Sequence, residues 1–325
     1  MARNVPRTPL ANLGKPRIPL KLHNSYNRRG GSQVTLAWDL QVSKHTIELT
    51  HGRKLNWPTN VTLLFLHAGA IAALFVFSWK AFAVALTLHW IAVGFGISLG
   101  YHRLHTHQSY QAPLFIQYLF AIFGTLTLEG GPIFWVGTHR IHHAKSDQPG
   151  DPHSPRDGAW WSHAGWIMFG ETNHNDTRLM AKHTPDLAKH RFYLWLNNYH
   201  WVPLAVLGAG LLWFGGLPMF LWGICLRVVV GLHCTWLINS ATHIWGSRRF
   251  NTKDDSRNIW WVALITFGEG WHNNHHAHPT SARHGLAWYE FDISWITLKV
   301  MKRLRLAKGI RVAKIESRVP EQQAA

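Results

Sequence analysis

The sequence predicts an all-α integral membrane protein: four transmembrane helices paired in two hairpins, with a cytoplasmic helical cap. Three observations carry that prediction. Two adjacent runs of about 20 residues hold no Asp, Glu, Lys or Arg, which is the length a helix needs to cross hydrocarbon. Basic residues crowd both ends of the chain and avoid the turns between apolar runs. Histidines, 24 in 325 residues, gather in tight groups beside those runs. With 47% hydrophobic and only 15% charged residues, disorder and coiled coil are excluded.

Taken in order, residues 1–55 begin as an irregular basic arm, with seven Lys or Arg, no acid and four prolines in the first 33 positions. No apolar core follows the charges, so the arm does not read as a signal peptide. The formal charge of +17 implies an anionic partner surface. Nothing resembles a nucleic-acid-binding module, which leaves membrane lipid, at on the order of 1 kcal/mol per basic residue near the surface. The first expected hairpin spans 61–79 and 81–100, turning at Trp79 and Lys80. Leu114 to Leu128 is about 15 residues, too short to span, and is expected to lie interfacially or buried.

The second hairpin is expected at 201–214 and 218–239, joined by Gly215, Gly216 and Leu217. Arg227 lies within it and must face protein or water. Ten Lys or Arg precede residue 60 and thirteen follow residue 245, while the hairpin tips hold only Lys80. The positive-inside rule then makes both termini cytoplasmic, together with a cap at 101–200 and 240–300 and a basic tail at 301–325. A bacterial inner membrane is the expected location. Two cysteines, Cys225 and Cys234, sit in one apolar run and cannot build a disulfide framework, a thiolate zinc site or an iron–sulfur cluster.

The histidine groups all fall on the side read as cytoplasmic. They are HRLHTH with His102, His105 and His107, HRIHH with His139, His142 and His143, NSATH with Asn239 and His243, and HNNHHAH with His272, His275, His276 and His278. HxxHH sets three imidazoles on one helix face, and NxxxH repeats the spacing. His102 and His107, five apart, diverge on an ordinary helix and could serve two ions or sit where the helix ends. Imidazole suits iron, copper, zinc or nickel, and so many ligands exceed the shell of one ion, so two ions are expected. Glu269, three residues before His272, and Asp147 and Asp151, after the second group, are candidates to orient metal-bound rings. Asn239 offers a weaker amide oxygen that suits a metal-bound water. His163 and His284 read as ordinary core or surface residues, whereas His67, His89 and His233 sit less comfortably inside the spans.

This set of motifs, with GEG before the last and DPH after the second, resembles the integral-membrane fatty acyl desaturases of the delta-9 (stearoyl desaturase) family over about residues 55 to 300. LEGGPIFWVG and WWSHAGW look most like the bacterial and cyanobacterial branch. The resemblance implies four spans under a cytoplasmic cap and two iron ions without a carboxylate bridge. Their ligands would be His102, His107, His139, His142, His143, His243, His272, His275 and His276, with Asn239 acting through a water. His105 and His278 have no ligand counterpart. Trp135 and Thr235 match positions that bend the substrate tunnel, and Glu129 stands where the animal enzymes have Gln. The implied reaction is O2-dependent insertion of a cis double bond into a saturated acyl chain. Gly137 and Thr138 replace the Arg-Asp pair that helps animal enzymes hold CoA, so the acyl carrier stays open between a CoA thioester and a glycerolipid. With no HPGG haem segment and no cysteine cluster, electrons are expected from an external ferredoxin or b-type cytochrome. A membrane di-iron hydroxylase or ketolase, or a non-enzymatic metal-binding membrane protein, is the alternative.

Overall fold

A computed structural model describes residues 54–169 and 177–314. The basic arm, except its last two residues, and the tail beyond residue 314 lie outside the described residues. Helix α1, Trp57–Ala73, starts where Asn56 accepts the Thr59 N–H and Pro58 occupies the first turn. Asn60 ties it to the cap by donating to the Met168 carbonyl at 3.0 Å. The turn to α2, Trp79–Thr106, falls at residues 74–78 rather than at Trp79 and Lys80. The reason is local: Ser78 is extended, and the helix begins at Trp79.

From Trp90 onward the backbone bonding of α2 widens to i→i+5. Such bonding is uncommon and tends to mark functional sites. Helix α3, Leu114–Thr125, is a 12-residue element whose Ile116, Phe120 and Ala121 are buried as it packs along α2. The approach is so close that a Cβ on Gly96 would stand 2.4 Å from the Gly124 nitrogen, so only glycine fits there. Helix α4, Pro132–Lys145, has proline in its first turn and is anchored by the Phe134 N–H donating to Asn197.

Helix α5, Val202–Ile244, breaks at Gly216, where φ is +66°, and its arms pack on one another. The expected boundary at 214–218 therefore coincides with a real break, and the second arm runs on past Asn239 to His243. Arg227 is 3% exposed and donates to the carbonyls of Gly223 and Leu126, at 2.9 and 2.5 Å. Leu126 caps α3, so the guanidinium sits where a helix presents unpaired carbonyls.

Two helices, α2 and α5, are long and apolar enough to cross a membrane; α1 has 17 residues. Their outer surfaces are unlike those of a water-soluble domain. Phe75 is 83% exposed, Trp213 84% and Phe214 88%, and Leu64, Phe65 and Val206 join them. Apolar exposure on that scale suits contact with hydrocarbon. The remaining described chain is short helices and loops, including α6, His272–Ala277, and α7, Ile293–Arg303, with no strand longer than an isolated bridge among the described residues.

Buried Arg103 locks α2 to the segments around α6 and α7. Its guanidinium donates to Glu269 at 2.9 and 3.1 Å, to the Ala282 carbonyl at 2.8 Å and to Asp292 at 3.2 Å. Asp292 also caps α7 by accepting the Trp295 N–H. Gly268 is required at this junction: its φ is +119°, and a Cβ would meet the Asp292 carboxylate at 2.4 Å.

Candidate metal centre

The four histidine groups converge. His102, His107, His139, His143 and His275 form one cluster, and His142, His243, His272 and His276 a second; within each, the candidate ligand atoms lie within 4.8 Å of one another. These nine are the rings expected as ligands, and neither cluster includes a carboxylate. His102 and His107 share a cluster, contrary to the divergence an ordinary helix would give. The wide turn explains this: His107 N–H donates to the His102 carbonyl, five residues back, at 3.1 Å, which brings their rings to 4.8 Å.

Carboxylates behind the rings set the tautomers. His102 Nδ1 faces Glu269 at 2.7 Å, His142 Nδ1 faces Asp151 at 3.0 Å, and His243 Nδ1 faces Asp147 at 2.9 Å. His276 Nδ1 meets Asp254 at 2.9 Å. A carboxylate accepts, so each Nδ1 carries the proton and each Nε2 keeps its lone pair. Those lone pairs point inward. Nε2 atoms stand 3.1 Å apart between His102 and His275, 3.0 Å between His275 and His143, and 3.0 Å between His272 and His243. His107 Nε2 and His276 Nε2 are buried without a hydrogen-bond partner. Inward lone pairs and orphaned nitrogens at this density fit transition-metal ions.

Electrostatics favours the ligand form. Burial, then neighbouring imidazoles, hold His139, His143, His272 and His275 well below the usual histidine range, and burial lowers His276 to about 4. Neutral imidazole is what binds a metal. Burial would raise Glu269, but Arg103, His284 and His102 hold it well below the usual carboxylate range. Ser98 adds a short hydrogen bond to the same carboxylate.

Asp151 faces His142 of the group it follows, whereas Glu269 faces His102 rather than the His272 group it precedes, and Asp147 serves His243 rather than the HxxHH group it follows. Asp254 and His284 were not anticipated as part of the site. His284 is 1% exposed, 3.0 Å from Glu269, with its ring 4.5 Å from His275. His153 joins Asp151 beside His142. His105 packs away from the clusters on Tyr193, and His278 lies against Phe250. The uncomfortable spanning histidines find partners: His67 Nε2 meets His233 Nε2 at 3.3 Å, and His233 Nδ1 meets His163 at 2.9 Å. His163 is therefore part of a polar chain, not a lone surface residue.

A cavity of about 380 Å³ reaches the clusters from the apolar side. His139, His153 and Asn239 line it near the histidines; Thr59, Leu63, His200 and Trp201 line it beside the starts of α1 and α5. Between them, Glu129 accepts hydrogen bonds from Trp135 Nε1 and Thr235 Oγ1, each at 2.9 Å. The three expected tunnel residues thus form one bonded unit across the cavity wall. Burial pushes the Glu129 carboxyl up to about 7.

Residues 77–295 match the fatty acid desaturase family. The chain belongs to that family. It is similar to the sn-1 stearoyl-lipid 9-desaturase of Anabaena variabilis, 46% identical over 82% of this chain and 98% of the relative. The sn-2 palmitoyl-lipid 9-desaturase of Nostoc is 44% identical over 79% and 90%. An acyl-CoA C20 Delta5-desaturase of Anemone leveillei is 40% identical over 84% and 88%. The protein is thus a fatty acyl desaturase, an oxidoreductase, and neither the hydroxylase or ketolase alternative nor a non-enzymatic role is favoured. This desaturase carries histidine clusters that fit metal, set beside a cavity.

Proposed function

We propose that the protein inserts a cis double bond at carbon nine of a saturated acyl chain carried on a glycerolipid. The observation that carries this reading is the cavity that runs from beside the exposed apolar belt to His139 and Asn239. A chain anchored in a bilayer could enter there without its head group leaving the interface. The relatives named for stearoyl- and palmitoyl-lipid substrates support the carrier and the position. The absence of an Arg-Asp pair at Gly137 and Thr138 points the same way.

Nine histidines would hold two iron ions, His102, His107, His139, His143 and His275 on one and His142, His243, His272 and His276 on the other. Asn239 would hold a water beside them. The bound pair supplies activation of O2 for hydrogen removal from an unactivated methylene. The chain's own residues supply position and dryness. Glu269, Asp147, Asp151 and Asp254 fix ring orientation, and the Trp135–Glu129–Thr235 unit narrows the cavity so that a bent chain fits best. One turnover takes O2, two electrons from an external ferredoxin or b-type cytochrome, and two protons from solvent, and leaves an alkene and two waters.

The same reading makes the protein multi-pass, with α1, α2 and the two arms of α5 as four spans in two hairpins. The cap, the termini and the metal centre then face the cytoplasm, and the bacterial inner membrane is its site. Residues 56–300 form the desaturase domain, between a basic arm and a basic tail.

Lipid profiling of a host that expresses the chain with a competent donor tests the proposal. We expect new delta-9 monounsaturated chains in intact glycerolipids, and none with His142→Ala. Unchanged unsaturation from the unaltered chain overturns it, and new double bonds confined to acyl-CoA overturn the carrier.

A further inference from the structure

The metal clusters have two approaches. One is the apolar cavity beside His139 and Asn239. The other is a separate polar cleft, lined by His143 and His276 together with Lys253, Asp254 and His278 and sharing no lining residue with the cavity. Nothing in the acyl reaction uses it. His143 belongs to the five-histidine cluster and His276 to the four-histidine cluster, and their rings stack at 4.6 Å, 27° from parallel. A molecule seated in this cleft therefore lies beside members of both clusters at once.

Basic residues stand in and beside the cleft: Lys253 lines it, Lys145 lies in the chain between lining residues Ala144 and Ser146, and Arg248 reaches the carbonyls of lining residues Thr252 and Asp254. Lys145, Arg248 and Lys253 are exposed, and no described carboxylate forms an ion pair with any of them. Asp254, the acid in the cleft, is occupied inward: Oδ2 accepts from His276, and Oδ1 from Ser256 and Thr252. The rim loop is fastened before any partner arrives. Arg248 Nη2 donates to the Thr252 and Asp254 carbonyls, each at 2.8 Å, and the Asn273 side chain accepts from the Arg249 and Phe250 N–H groups. A rigid loop loses little freedom when it docks a partner.

The geometry points to this cleft as the docking surface for the electron donor, an acidic one-electron carrier protein whose negative patch meets Lys145, Arg248 and Lys253. The inference rests on the desaturase reading above and gives it an entry point for electrons. Each encounter oxidises one carrier by one electron. Two encounters supply two electrons, the two C–H bonds supply two more with their hydrogens, and with two solvent protons O2 becomes two waters. Donor and acyl chain then use openings that share no lining residue and need not displace one another.

The test is direct binding of an acidic plant-type ferredoxin to the iron-loaded desaturase in lipid nanodiscs without acyl substrate. The variants are Lys145→Glu/Lys253→Glu and, as a control of equal charge change, Lys182→Glu/Lys189→Glu. The control residues lie in turns just after the short helices Thr177–Ala181 and Pro185–Ala188, and nothing from this stretch lines the cleft. At low salt we expect the cleft pair to weaken the Kd by about tenfold or more, the control by less than about twofold, and the gap to close as ionic strength rises. Iron content and melting temperature of both variants should match the parent. Equal weakening in the two pairs, or none in the cleft pair, overturns the docking site. Dithionite-driven turnover of the parent on lipid substrate separates the outcomes: product there with no cleft dependence defeats this inference alone, whereas no product defeats the desaturase reading.

Discussion

Asp254 illustrates how much of a metal centre lies outside its ligands. The sequence shows HxxHH and the Asp151 that follows it and faces His142, because both depend on local spacing. It does not show Asp254, whose partner His276 is 22 residues further on, beyond the short helix Trp260–Ile265 and its flanking loops. His284 escaped for the same reason, since nothing near it in the chain marks the Glu269 carboxylate it faces. Replacing Asp254 with Asn keeps the shape but removes the acceptor charge that orients His276. Loss of such a partner typically costs 10–100-fold in metal affinity or activity. Asp254→Asn is therefore expected to hold iron roughly that much less tightly in competition with a chelator. Affinity equal to the parent would mean that the carboxylate does not set the ring.

At the scale of elements, the apolar runs were legible because hydrocarbon imposes one length on them, but their ends were not. The first turn fell several residues early, since Asn56 and Pro58 start α1 before the uncharged run begins. The largest departure is the i→i+5 bonding at the end of α2, which no periodicity of side chains announces. It moves His107 by the angle that an ordinary helix would have kept between it and His102. The same helix depends on Gly96 for its approach to α3. Gly96→Leu should push the two helices apart, costing about 1–3 kcal/mol or more. A lower melting temperature, with iron lost from His102 and His107, is the expected reading. An unchanged melt would show that the backbones can separate freely.

Across the whole molecule, the buried imidazoles of His139, His143, His272, His275 and His276, packed together, make the metal-free protein sensitive to acid. Burial holds the folded values of His139, His143, His272 and His275 well below the unfolded value near 6.5. Above that value neither state binds the extra protons. As pH falls through it the unfolded chain takes them up first, so stability present above about 6.5 is lost toward the folded values, for His276 about 4. Chelated protein scanned from about pH 8 to about pH 5 should lose melting temperature steeply, and iron should restore it by binding only the folded form. A flat profile without metal would contradict the packing described here. The cluster members are also ordered along the chain in a telling way, from His102 on the first long helix to His276 after the last. During synthesis α1, α2 and α5 have therefore all been made before the final imidazoles leave the ribosome. The two clusters are thus complete only once the chain has been made as far as His276, which places any metal they take up among the last steps of biogenesis.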